Sequence, residues 1–248
     1  MVFNEAVAPM AHDAGNVGVL LCHGFTGSPA SMRPWAEFMA GHGYSVRLPL
    51  LPGHGTHWRD LADTRWQDWY GSASAQFHEL RARCDHVFVF GLSMGGTLTL
   101  RLAQELGDAV TGIVVVNPLV HKMPRGSALA PLLRHVVPSI PGIGNDIKAP
   151  GRDEHCYDRV PVRGVAELGR LSRLVTADID RVTQPTLICT SPQDHAVDPA
   201  NSQWLAEQLR GRSVASVVLA DSFHVATLDH DASTVFESSL AFVRGLSA

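Results

Sequence analysis

At positions 91–96 the chain reads Gly91-Leu92-Ser93-Met94-Gly95-Gly96. An apolar run, residues 86–91, precedes this stretch, and residues 94–106 have the pattern of a helix. A G-x-S-x-G motif between a buried strand and a helix is typical of a tight turn that lifts the serine hydroxyl out of the sheet edge. Glycine is expected at 91 and 95, because side chains there would collide with the turn. We therefore predict that Ser93 is a nucleophile, placed where the N-terminal end of the next helix stabilises an anionic intermediate.

A serine hydroxyl is a poor nucleophile at neutral pH and needs a base that is itself oriented by a carboxylate. Two further strands are predicted in the second half of the chain, at residues 184–190 and 213–220. Asp194 follows the first of them and His224 follows the second. Loops after parallel strands lie together at one edge of an open α/β sheet, and the order serine, acid, histidine is a known order for such a triad. The sequence predicts Ser93, Asp194 and His224 as catalytic residues.

Rival residues stand close to both predicted partners of the serine. Asp198 lies deeper in the loop that carries Asp194, named the acid loop, and is the alternative acid. Asp221 is very close to His224 in sequence. Asp229 is expected to support the loop that carries His224, named the base loop, through hydrogen bonds. His195 adjoins the predicted acid and must point elsewhere, so His224 is the stronger candidate for the base.

Acyl transfer also needs N–H donors at the place where the carbonyl oxygen becomes negative. One expected donor is the amide of Met94, the residue after the nucleophile. The other is expected from the loop after the first core strand, which reads His23-Gly24-Phe25-Thr26-Gly27. The Phe25 amide is the predicted donor, because Gly24 lets the backbone approach the site closely. His23 and His54 are interpreted as residues that brace their own loops through ring hydrogen bonds.

Around these motifs, short apolar runs alternate with longer helix-like segments, a pattern typical of βα units. The predicted strands are residues 17–22, 44–48, 86–91, 113–117, 184–190 and 213–220. The predicted helices are residues 32–41, 66–80, 94–106 and 235–245. The expected fold class is α/β, with a mostly parallel central sheet flanked by helices. The aromatic residues of the helix at 66–80 recur at helical spacing, which favours core packing over a binding platform.

The alternation breaks between residues 117 and 184, over a length of roughly 65 residues that exceeds an ordinary loop. Prolines divide this region into short pieces; they are Pro124, Pro131, Pro138, Pro141, Pro150 and Pro161. We predict a core made of residues 1–118 and 185–248, with residues 119–184 inserted as a cap over an apolar pocket.

Length and composition fit one globular domain without a nucleic-acid partner. The chain has 248 residues, of which 45% are hydrophobic and 18% charged, and its net charge is −4. The four cysteines lie far apart, and neither metal-ligand spacing nor a phosphate-binding loop is recognised, so no metal and no cofactor are expected. No apolar run is long enough to span a bilayer and no signal peptide is recognised, which predicts a cytoplasmic protein. The expected oligomeric state is a monomer or a homodimer.

Several motifs together carry a family resemblance. They are His23-Gly24-Phe25-Thr26-Gly27, Leu51-Pro52-Gly53-His54-Gly55, the run from Gly91 to Gly96, Asp194 with Val197 and Pro199, and Ser222 with His224. Over essentially its full length the chain resembles the bacterial carboxylesterase and monoacylglycerol lipase group of the α/β-hydrolase superfamily. The resemblance implies an α/β-hydrolase fold with a small inserted cap and no cofactor. It also implies hydrolysis of short- to medium-chain acyl esters, monoacylglycerols among them, through an acyl-enzyme intermediate.

Other functions on the same scaffold stay open at this point. A thioesterase, a C–C bond hydrolase or a cofactor-free perhydrolase would use the same three residues. A non-catalytic receptor for a small ligand can also keep a complete triad. A dehalogenase or an epoxide hydrolase is disfavoured, because it would carry aspartate at position 93 where this chain has Ser93.

Overall fold

The centre of the molecule is a seven-stranded sheet, seen in a computed structural model that describes residues 5–124 and 126–247. Its strands are β1 (Met10–His12), β2 (Val17–Cys22), β3 (Ser45–Leu48), β4 (His86–Leu92), β5 (Gly112–Val116), β8 (Thr186–Thr190) and β9 (Val214–Val218). Their spatial order is β1-β3-β2-β4-β5-β8-β9, and only β1 runs antiparallel to its neighbour. The predicted mostly parallel sheet is confirmed.

The register of the central strands brings their carboxyl ends to one edge of the sheet. Cys22 of β2 pairs with Gly91 of β4, and Leu92 pairs with Val116 of β5. Val116 in turn pairs with Cys189 of β8. These strands are near-continuous apolar runs because both of their faces are buried. The loops that follow them therefore lie side by side.

Helices cover both faces of the sheet. They are α1 (Arg33–Gly41), α2 (Trp58–Ala62), α3 (Trp66–Arg81), α4 (Met94–Leu106), α6 (Val162–Ala177), α7 (Ala200–Gln208) and α8 (Ala232–Leu246). Helices α1 and α8 pack on one face, where Trp35 stacks on Phe90 with ring centroids 4.8 Å apart. Helices α3, α4, α6 and α7 pack on the other face around a second apolar cluster. The four predicted helices are present with ends within three residues of those predicted, whereas β1, α2 and α7 were not predicted.

The insertion between β5 and β8 is partly separate from this core. It contains helix α5 (Ala130–Leu133) and an antiparallel pair of strands, β6 (Ser139–Pro141) and β7 (Arg159–Pro161). Its last helix, α6, packs on α4 and buries Leu171 and Val175 in the main core. At the start of the insertion, the backbone N–H groups of residues 120–122 donate hydrogen bonds to the side-chain oxygen of Asn201 on α7, at 2.8–3.1 Å.

Exposed large apolar side chains concentrate on the insertion. Before α6 they are Leu129, Leu132, Leu133, Val136, Ile140 and Ile143, with exposed fractions from 36% to 77%, and on α6 Leu174 is 38% exposed. The insertion therefore presents an apolar outer surface above the edge of the sheet. In residues 5–124 and 126–247, no helix is long and apolar enough to cross a membrane.

Candidate active site

Ser93 stands alone between the end of β4 and the start of α4, in a strained backbone conformation. Its φ is 57° and its ψ −119°, a combination that residues other than glycine rarely adopt. Its N–H donates to the Val116 carbonyl at 3.0 Å, and its carbonyl accepts from the Leu119 N–H at 3.3 Å. These bonds to the segment around the end of β5 hold the turn, so the Ser93 hydroxyl lies at the N-terminal end of α4.

The glycines on either side of the serine are required by the closeness of backbone atoms. A β-carbon on Gly91 would stand 2.2 Å from the Gly95 carbonyl oxygen, and one on Gly95 would stand 1.9 Å from the Cys22 carbonyl oxygen. Both distances lie far below van der Waals contact. Only glycine at these two positions allows the helix to begin directly against β2 and β4.

Asp194 and His224 are brought together from two different loops. His224 Nδ1 lies 2.7 Å from Asp194 Oδ2, and the two side chains are 11% and 2% exposed. The second Asp194 oxygen accepts the N–H groups of Ala196 and Val197, at 2.8 and 2.7 Å. A carboxylate only accepts hydrogen bonds, so the Nδ1 atom of His224 carries a proton, and in the neutral ring the Nε2 atom has the lone pair.

Opposing effects set the pKa of His224. Burial, the largest of them, lowers it, since an imidazolium is poorly solvated inside a protein. The hydrogen bond that His224 donates to Asp194 and the negative charges of Asp194, Glu154 and Asp146 raise it. The acidic groups together outweigh burial, and the pKa of His224 lies above its ordinary value.

The rival carboxylates in these loops have other partners. Asp198 forms an ion pair with Lys122 and accepts the N–H of Ala200 at 2.9 Å, at the start of α7. Asp221 lies on the surface, 2.6 Å from the Lys148 ammonium group. Neither is hydrogen-bonded to His224.

Asp229 supports the base loop. Its Oδ2 accepts the N–H groups of Phe223 and Lys148, at 2.9 and 2.7 Å, and its Oδ1 accepts the N–H of Ala149 at 2.8 Å. The residue before His224 and two residues of the insertion are therefore joined through one carboxylate.

Asn117, directly after β5, links the three loops of the site. Its Nδ2 donates to the His224 carbonyl at 2.8 Å and to Ser191 Oγ at 3.0 Å, and its Oδ1 accepts the Ser191 N–H at 2.8 Å. Its backbone has a φ of 45°, which asparagine tolerates better than most residues. We did not predict this role, although a single polar residue that closes the apolar run at 113–117 is a signal that could have indicated it.

The amide of Met94 directly follows Ser93 in the chain, and the amide of Phe25 lies in the loop after β2. Within the part of the chain that the structure describes, neither N–H donates a hydrogen bond. A β-carbon added to Gly24 would stand 3.5 Å from Ser93 Cβ, so the loop that carries Phe25 passes directly beside the serine. Two free amides next to a nucleophile are the donors that a developing oxyanion needs.

Two buried histidines brace the loop that carries Phe25. His23 receives a hydrogen bond from the Leu51 N–H at Nε2 (3.1 Å), so its Nδ1 donates to the Gly24 carbonyl at 2.9 Å. His54 bonds the Pro52 carbonyl through Nδ1 at 3.1 Å, and its ring meets that of His23 edge-on. Burial lowers the pKa of His23 to about 4 and that of His54 to about 3. Both rings are therefore neutral near neutral pH.

Both side chains of the proposed nucleophile–base pair are described, and no hydrogen bond joins Ser93 Oγ to His224. Such contacts are often long in substrate-free enzymes and close when substrate binds. Ser93 is 8% exposed.

The insertion also supplies two carboxylates near His224 that sequence reasoning missed, Asp146 and Glu154.

A mostly parallel sheet, a strained serine turn between strand and helix, and an acid–histidine pair on the following loops define the class of α/β-hydrolases. The chain belongs to the Hydrolase_4 family, described as serine aminopeptidase, S33, whose model matches residues 16–231.

Individual relatives agree with this class. The chain is 42% identical over 234 residues to the thermostable monoacylglycerol lipase of Bacillus sp. (strain H-257), covering 94% of this chain and 93% of the relative. A solved structure from a study of the metagenome-derived lipolytic enzymes LipS and LipT is 36% identical, with a TM-score of 0.92 and coverage of 97% and 98%. The monoacylglycerol lipase of Paleococcus ferrophilus shares the fold, with 19% identity, a TM-score of 0.79 and coverage of 95% and 97%.

Proposed function

We propose that the protein is a serine hydrolase of carboxylic esters with short to medium acyl chains, monoacylglycerols among them. The observation that carries the proposal is the Asp194–His224 pair, which leaves His224 Nε2 without a hydrogen-bond partner among residues 5–124 and 126–247, at the same sheet edge as Ser93. The family membership and the 42% identical monoacylglycerol lipase support the ester class.

Ser93, His224 and Asp194 divide the chemistry among them. As Ser93 Oγ bonds to the ester carbonyl carbon, His224 Nε2 takes the hydroxyl proton. Asp194, held by two backbone N–H groups, keeps the imidazole oriented and stabilises its positive charge. The carbonyl oxygen becomes negative and accepts the free N–H groups of Phe25 and Met94.

Collapse of this intermediate releases the alcohol, which takes its proton from His224, and leaves the acyl group on Ser93. Water then attacks the acyl carbon while His224 accepts its proton. The second tetrahedral intermediate uses the same two amides, and the acid leaves as Ser93 recovers its proton from His224.

The substrate class is tested by initial rates on p-nitrophenyl esters of increasing acyl length, beside a monoacylglycerol, an acyl-CoA, a diketone and an aminoacyl p-nitroanilide. We expect turnover of the esters and the monoacylglycerol. Dominant turnover of the acyl-CoA or the diketone would favour a thioesterase or a C–C bond hydrolase. Dominant anilide turnover would agree with the peptidase activity in the family's description and contradict our proposal.

The catalytic assignment is tested with Ser93→Ala. We expect ester turnover to fall by at least about a thousandfold, because the nucleophile is lost, with an unchanged circular dichroism spectrum. The exposed Ser233→Ala is the matched control and should retain full activity. Full activity of Ser93→Ala would contradict the proposed nucleophile, and tight ligand binding without any turnover would favour a receptor.

We also propose that the cap is shorter than residues 119–184 and ends before α6, because α6 packs on the core. The free thiols of all four cysteines support a reducing compartment such as the cytoplasm. A monomer or homodimer stays our prediction for the oligomeric state.

A further inference from the structure

The insertion returns to the core at residues 146–149, a segment that we name the strap. The Val225 N–H donates to the Asp146 carbonyl at 3.1 Å, next to His224. Ile147 packs against the apolar cluster of the core. The N–H groups of Lys148 and Ala149 donate to the two oxygens of Asp229. Every residue of the strap is thus in contact with the core, on the side where the base loop lies.

The Asp146 side chain bridges the acid loop and the base loop. Its Oδ2 accepts the backbone N–H groups of His195 and His224, at 3.0 and 3.2 Å. Its Oδ1 lies 2.8 Å from His195 Nδ1, which donates because a carboxylate only accepts. The carboxylate is 10% exposed, and in the described residues no lysine or arginine lies within ion-pair distance of it.

A nearly buried carboxylate without a permanent cation partner is costly unless N–H donors compensate its charge. Asp146 has three such donors, and they belong to the two loops that carry Asp194 and His224. The contacts therefore set the distance between these loops from the side of the insertion.

We propose that Asp146 is a positioning residue of the hydrolytic site, which fixes the His224 loop against the Asp194 loop from within the insertion. The proposal rests on the proposed ester hydrolysis. Asp146 touches no reacting atom; it acts through the main chain of His224 and through its negative charge.

A pH effect follows from the charges that face His224. Asp194 on the acid loop and Asp146 and Glu154 on the insertion carry the negative charges that act on His224. The Lys148 ammonium group lies 5.8 Å from the centre of the neighbouring Phe223 ring. Removing the Asp146 charge lowers the pKa of His224, so the base stays unprotonated to lower pH. The acid limb of the kcat/KM profile then moves to lower pH.

The test compares three variants. Asp146→Ala removes the bridge, and we expect kcat on a short soluble ester to fall on the order of ten- to a hundredfold, with KM nearly unchanged. Asp146→Asn keeps an acceptor for the two backbone N–H groups, so it should restore most of kcat while its acid limb lies at lower pH. Asp153→Asn removes a half-exposed carboxylate from the same insertion and should match the wild type in both measurements.

An NMR titration of the His224 imidazole, assigned with His224→Gln, gives the pKa without any turnover. A lower pKa in Asp146→Asn than in wild type supports the proposal. An unchanged pKa together with unchanged kcat in the folded Asp146→Asn and Asp146→Ala proteins would overturn it. If the wild type hydrolyses no ester, but the pKa of His224 is lower in Asp146→Asn than in the wild type, the proposed function is overturned and the positioning contact stands.

Discussion

At the scale of single residues, the site depends on places where an added atom has no room. Gly95 is the strongest case, because its missing side chain lets the start of α4 lie against the Cys22 carbonyl. The strained φ of Ser93 is kept by that packing and by two backbone hydrogen bonds. Glycines without any functional group therefore set the position of Ser93.

Gly95→Ala should destabilise the protein by more than about 3 kcal/mol, because its β-carbon would overlap backbone atoms that cannot move aside. Urea denaturation measures the change. The control is Gly71→Ala, in the exposed middle of α3, where a β-carbon meets nothing within 4 Å. That variant should gain up to about 1 kcal/mol from helix propensity, and equal stability of the two variants would contradict our reading of the turn.

At the scale of elements, neighbouring strand ends are joined by side chains rather than by the sheet alone. Asn117 connects the end of β5 with the loops after β8 and β9 through hydrogen bonds to Ser191 and to the His224 carbonyl. One side chain therefore holds the end of β5 and the loops after β8 and β9 together.

Asn117→Gly keeps the positive φ but removes these bonds. We expect a loss of about 1–3 kcal/mol of unfolding free energy, since buried partners are left unsatisfied. We also expect a lower kcat, because the base loop is no longer tied to β5. Thermal melts and ester kinetics check both expectations. Wild-type kcat in the glycine variant would show that the base loop is held without Asn117.

The elements of the core could be predicted from the sequence because their pattern is local. Val17–Cys22 and Met94–Leu106 are present as predicted, since each is a continuous run bounded by glycine or by polar residues. Helix α6 was not recognised, because it lies inside the proline-divided insertion, although its buried apolar residues recur at helical spacing. Asp146 is more than seventy residues from His224 in the chain, and no local pattern indicates that the two meet.

At the scale of the whole molecule, buried histidines link stability to acid. His23 and His54 have a pKa near 6.5 when unfolded, and burial lowers these values to about 4 and about 3 in the folded protein. The unfolded chain therefore binds more protons as the pH falls below 6.5, which lowers the free energy of unfolding. His224 acts in the opposite sense: its raised pKa contributes stability below 6.5 that is lost as the pH rises through the folded value.

We expect the two lowered values to dominate, so the urea midpoint should fall between about pH 7 and about pH 5. His54→Asn keeps a donor for the Pro52 carbonyl and removes the titrating ring. Its midpoint should therefore depend less on pH than that of the wild type. An identical pH dependence in both proteins would show that His54 does not contribute.

The two attachments of the insertion have a consequence for recombination between homologues. Asn201 holds residues 120–122, and the strap holds residues 146–149, so the stretch between them, which carries α5 and β6, has both ends fixed to the core. Such a stretch can be exchanged with little effect on the residues at its ends. Crossovers placed after Lys122 and before Asp146 would transfer the apolar outer surface alone. Crossovers at 118/119 and 184/185 would also replace Asp146, which contacts the base loop. The chimera would then have a new cap together with a displaced His224.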